Sequence, residues 1–152
     1  MSVNMHNIRQ LVRELELSFW ISENGSCIAI PYHADNGRRS IDVLIQLHEE
    51  NTFLQFSAAL LFNVEDDENL IPVLRAINSA NHGTRFIKVT YDADSRAIRA
   101  YADLWLQDGT MTALQFSTML NNFACGVLQA QRAVLHAVDE APAPQAEQEA
   151  PF

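Results

Sequence analysis

Two alternating runs stand back to back near the middle of the chain and restrict its fold more than any other feature. In "SIDVLIQLHEE", Ile41, Val43, Ile45 and Leu47 alternate with Asp42, Gln46 and His48. That is the period of a strand with one buried face. The next run, "TFLQFSAALLF", offers Leu54, Phe56, Ala58, Leu60 and Phe62 to one side, and Phe53, Gln55, Ser57, Ala59 and Leu61 to the other. Its second face is therefore partly apolar as well, more so than a face turned only to water needs to be.

Upstream, Asn24-Gly25 and Asn36-Gly37 punctuate strand-like segments, and Asn-Gly suits tight hairpins because both residues tolerate positive φ. The segments "SFWIS" and "CIAIPYH", read as two strands or as one bent unit, complete a three-stranded antiparallel meander with the two runs above. Ile8, Leu11, Val12 and Leu15 recur at helical spacing and predict an amphipathic helix over about Val3 to Leu17. After the meander, the acids Glu65 to Glu68 precede "NLIPVLRAINSANHG". Carboxylates favour a helix N-terminus and Pro72 is tolerated only near the first turn, so a second helix begins near Asn69. Gly83 would close it in a left-handed conformation. The stripes Leu70, Leu74, Ile77, Asn81 and Ile71, Leu74, Asn78 turn both asparagine amides towards the sheet, where they would pair with backbone; the role expected of them is architectural.

A second hairpin follows, "RFIKVTYD" and "RAIRAYADLWL" around Asp92 to Ser95. Thr112-x-x-Gln115 then forms a capping box for a helix from Ala113 to about Val138, about 40 Å long, enough to outrun a small sheet and pack on another subunit. From Asp139 the composition turns acidic and rich in proline and alanine, so residues 139–152 read as a disordered tail behind one domain, residues 1–138. The whole is an α+β order: helix, three-stranded meander, helix, hairpin, long helix.

Charge and composition exclude several functions. With 10 Lys+Arg against 19 Asp+Glu the formal charge is -9, and Lys88 is the only lysine, so direct nucleic-acid binding is disfavoured and a basic protein partner is favoured. Cys27 and Cys125 are the only cysteines and the five histidines fall in unrelated segments, which predicts a reducing compartment, small core cysteines and no metal or other cofactor. No secretion signal and no bilayer-length apolar run is evident, giving the expectation of a cytoplasmic protein with no membrane partner.

Catalytic motifs are wanting, so no catalytic residue is assigned and an enzyme is not expected. His33 with Asp35, near Arg38, is the best rival: a His-Asp pair could serve acid-base chemistry or a small-ligand sensor, although polar hairpin ends normally contain such residues. The acids at 65–68 could hold a cation, but helix capping already accounts for them. More telling are Phe86, Tyr101 and Trp105, with Phe53 and Leu61, on a nominally outward face. Either a helix covers them or they form a protein-binding or dimer surface.

"INSANHG", "FIKVTYDADSRAIRAYADLWL" and "GTMTALQFSTMLNNFA", in this order of elements, resemble the YbjN family of bacterial sensory-transduction regulators. The shared features are Asn78 and Asn81, Asp92 or Asp94 in the turn, Asp103-Leu104, and Thr112. The resemblance implies the fold of type III secretion chaperones, a homodimer, and a chaperone-like adaptor or regulator linked to stress responses that binds a client protein. It implies no enzyme.

Overall fold

The computed structural model describes residues 3–48, 50, 52–61, 63–106 and 110–139. Helix α1 (Met5–Glu14) opens on a reciprocal cap: the Asn4 side chain accepts from the Asn7 N–H and the Asn7 side chain from the Asn4 N–H, both at 3.0 Å. It is shorter than the periodicity predicts, because the chain leaves the helix at Leu15 and Glu16 takes a positive φ of 55°. Strands β1 (Trp20–Ile21), β2 (Cys27–Ala34), β3 (Arg39–His48) and β4 (Phe53–Leu61) form the meander. "SFWIS" contributes only the two-residue edge strand β1, pairing Trp20 with Ala29, so the meander carries a short extra strand. Both Asn-Gly turns are hairpins, and Gly25 and Gly37 take the positive φ values of 71° and 83° that such turns require.

A 3-10 turn (Asp67–Asn69) leads into helix α2 (Leu70–Gly83). No carboxylate of the acidic run caps it with a hydrogen bond; Asp67 instead pairs with the Arg96 guanidinium at 2.6 Å, tying the turn to the second hairpin. Strands β5 (Lys88–Tyr91) and β6 (Ile98–Trp105) make that hairpin, and helix α3 (Ala113–Asp139) ends the described chain. The Thr112–Gln115 capping box is present in both directions, at 2.9 and 3.1 Å. The tail expected from Asp139 lies, beyond that residue, outside the described residues.

All six strands form one antiparallel sheet in the order β1-β2-β3-β4-β6-β5. Its inner face supplies Ile28, Ile30, Val43, Ile45, Leu54, Phe56 and Ala100, all fully buried. α3 lies against β3 and β4, and α2 against β5 and α3. Phe56 is flanked by Phe116 and Phe123, ring centroids 6.1 and 5.8 Å away, tilted as aromatic pairs prefer. Burial along α3 continues to Val134, with Val138 still packed against the core, so the helix does not outrun its own sheet. Among the described residues no helix covers the opposite face, where Asp42, His48, Lys88, Arg99, Asp103 and Trp105 are exposed.

The core side of α2 is Val73 and Ile77, while Ile71, Leu74 and Asn78 face outwards. The two asparagines therefore part company. Asn81 does face the sheet: its Oδ1 accepts the Val89 N–H at 2.7 Å and its Nδ2 donates to the Val89 carbonyl at 2.9 Å. Both Val89 groups point away from β6, so one carboxamide stands in for a neighbouring strand at the β5 edge. Asn78 is exposed; the expected backbone pairing fails for it because the helix stripe runs one residue round from where the apolar count set it. Gly83 does not turn left-handed either. It remains helical, and Thr84 ends the helix in extended geometry, its N–H and Oγ1 both donating to the Ala80 carbonyl. Asn81→Leu, which strands both Val89 groups, should cost about 2–4 kcal/mol in urea unfolding, whereas Asn78→Leu should stay within about 0.5 kcal/mol.

Candidate protein-binding surface

On the outer face, register decides which side chains meet. Phe53 pairs with both His48 and Trp105, and the three rings form a row, Phe53 being 5.8 Å from His48 and 5.2 Å from Trp105. Trp105 is 65% exposed. Beside it Leu104, Trp105, Met111, Leu114 and Met119 line a cavity of about 460 Å³, together with Thr110, Gln115 and Thr118. Leu114, 75% exposed, lies in the first turn of α3 on the side away from its buried stripe. Large apolar groups left this open at one end of a sheet offer contact area to a partner; methionines add an adaptable lining.

Tyr101 lies two strand pairs from Trp105 on the same face, with the Lys88 ammonium 5.9 Å from its ring centroid. Phe86 does not belong to this cluster. It precedes β5 and lines a separate hollow with Ile87 and the α3 residues Asn122, Cys125 and Gly126. The side chain of Leu61 lies outside the described residues, but its backbone pairs with Ile98 across a register shift after Ala59, which breaks the simple alternation. His48, Met111, Leu114 and Met119 belong to this end of the sheet beyond the aromatic residues expected there. The place of His48 is legible from its position opposite Phe53; those of Met111, Leu114 and Met119 are not, because their meeting with Trp105 depends on how α3 is set against the sheet.

The rival constellation does not assemble. Asp35 forms a 2.6 Å ion pair with Arg39, not with His33 or Arg38, and Arg39 also donates to the Leu128 carbonyl of α3 at 2.8 Å. Asp35 and Asn36, both with positive φ, are turn residues. The hydrogen bond from Arg39, followed by the attraction of neighbouring arginines, holds the Asp35 carboxyl below its ordinary value. Cys27 is half-buried and Cys125 exposed, so neither is the core residue expected. Among the described residues no three His, Cys, Asp or Glu side chains converge on a metal position, and no helix is long and apolar enough to cross a membrane.

This architecture is that of the type III secretion chaperones. The chain superposes on a chain of the "HopA1-SchA Chaperone-Effector Complex" with a TM-score of 0.51 at 14% identity, covering 88% of this chain and 98% of that one. The "heterodimeric complex ExoU-SpcU from the type III secretion system (T3SS) of Pseudomonas aeruginosa" gives 0.53 at 11% identity, covering 83% and 96%. At 0.63 and 17% identity, covering 89% and 91%, it also matches "YbjN, a putative transcription regulator from E. coli". Residues 6–136 match the family YbjN, "Putative bacterial sensory transduction regulator", and the chain belongs to that family. No curated protein matches it significantly in sequence.

The Asp35 ion pair gives a pH test. A lowered folded-state value means that its stabilisation is fully present above the unfolded carboxylate value of about 3.9 and is lost as pH falls through the lower folded value. The Tm difference between wild type and Asp35→Asn should therefore be seen at neutral pH and vanish in acid, as read by thermal unfolding across that range.

Proposed function

We propose that the domain is a non-enzymatic, chaperone-like adaptor or regulator of the bacterial cytoplasm that binds a client protein through the outer end of its sheet. The single observation that carries this reading is the pair of exposed apolar side chains Trp105 and Leu114 lining one roomy hollow, with Phe53 stacked beside Trp105. Structural kinship with chains of a chaperone–effector complex and of a heterodimeric type III secretion complex supports the binding role. The formal charge of -9 supports a basic client, such as a nucleic-acid-binding protein, by electrostatic steering. Regulation in a stress response and self-association as a homodimer complete the proposal. The exposed apolar residues Ile71 and Leu74 of α2 and Trp20 of β1 offer further contact area for either kind of partner.

Trp105→Ala and Phe53→Ala should each leave the urea midpoint nearly unchanged or, for half-buried Phe53, modestly lowered. Each should weaken capture of the client from the native host's lysate by about tenfold or more, as hot-spot truncations do. Capture and oligomeric mass by light scattering that are both unaltered in the two variants would refute the reading.

A further inference from the structure

The sheet is forked. β3 and β4 pair from His48↔Phe53 to Leu44↔Ser57 and then separate: from Arg39 to Val43 the strand pairs with β2, and from Ala58 to Leu61 the other pairs with β6. Into the fork comes Gln131 of α3, only 7% exposed. Its Nε2 donates to the Ser40 carbonyl on one branch and the Leu60 carbonyl on the other, each at 3.3 Å. Two acceptors on that nitrogen fix the orientation of the amide, for the flipped form would set oxygen against two carbonyls. Gln131 Oε1 is consequently a buried acceptor with no partner among the described residues. It belongs to a cavity of about 320 Å³ whose walls include Asp42, Leu44, Ser57, Ala59 and Arg99.

We infer that this cleft receives an arginine side chain of a protein partner. One amide already spans the fork at Ser40 and Leu60, so the opening takes a side chain and not a further strand. An unpaired buried oxygen calls for a donor, and an anion would meet it acceptor to acceptor. Leu44 and Ala59 give an alkyl stem something apolar to lie on. Asp42, exposed on the outer face, supplies a carboxylate at the mouth. A guanidinium presents several donors in one plane to a cavity lined by both an amide oxygen and a carboxylate, which a single ammonium on a round, strongly hydrated head does less well. Arg99 lies on the β6 side of the cleft, beyond Ala59, and opposes the incoming charge. The inference rests on the protein-binding reading and adds a chemical preference to it: the client presents arginine on the same sheet face that carries Trp105.

The test is a titration of the full-length chain with N-acetyl-arginine amide, followed through the side-chain NH₂ of Gln131 and the backbone N–H groups of Asp42, Ser57 and Ala59 by NMR. Saturable shifts confined to these groups are expected. Asp42→Asn should weaken binding by about threefold, the scale of an exposed charge pair, and Arg99→Ala should strengthen it by a similar factor. N-acetyl-citrulline amide, the neutral isostere, should bind more weakly than the arginine probe. Gln131→Met should abolish the response; should it unfold the domain, the two exposed positions still decide. Equal affinity for citrulline, indifference to Asp42→Asn, or no saturable shift overturns the inference. Trp105→Ala should leave the titration untouched, so a failure of client capture with an intact arginine response counts against the aromatic surface alone.

Discussion

Phe56 between Phe116 and Phe123 is the contact on which the rest depends. An antiparallel sheet with one apolar face needs a cover, and α3 supplies it, crossing the middle strands with Phe116, Leu120, Phe123, Val127 and Val134 buried along its length. Burying each such side chain is worth about 1.5–3 kcal/mol. Once α3 is seated, α2 can only close the remaining side, between α3 and β5, and the second hairpin is held by α2 through Asn81 and by the 3-10 turn through Arg96 and Asp67. Cover on one face leaves the other open.

That division explains how one small domain can keep both a stable core and a sticky surface. Trp105 and Phe53 contribute little to the packed interior, so apolar area at this end of the sheet is held by backbone pairing across β4 and β6 and not by burial. The fork at the other end has a different origin. A glutamine in the buried stripe of α3 requires acceptors, and the diverging strands provide two carbonyls for it. The amide holds the branches together while its own oxygen has no partner among the described residues.

Much of this could be read from the residues. Alternation at Ile41–Leu47, the Asn-Gly turns and the Thr112–Gln115 box each depend on neighbours in sequence, and each appears as expected. The readings that needed correction depend on neighbours in space. Asp67 finds Arg96 across 29 residues, and so does not cap a helix. Thr84 supplies a closing hydrogen bond that makes a left-handed Gly83 unnecessary. The register shift after Ala59 interrupts a period of two, and Phe86 joins α3 because the chain between α2 and β5 passes over that helix. Gln131 falls in the buried stripe of α3 between Val127 and Val134, but nothing local signals that the strands beneath it part.

The pairing of Asn81 with Val89 also bears on how copies of this chain can assemble. A sheet with two open margins can add molecules at both and grow into a filament. Here the β5 margin is occupied at Val89 by a side chain of the same molecule, which leaves β1 as the margin where backbone pairing can continue. A margin filled by a side chain of its own molecule cannot take up another strand at that point, so a single amide makes the two edges of the sheet unequal in what they offer.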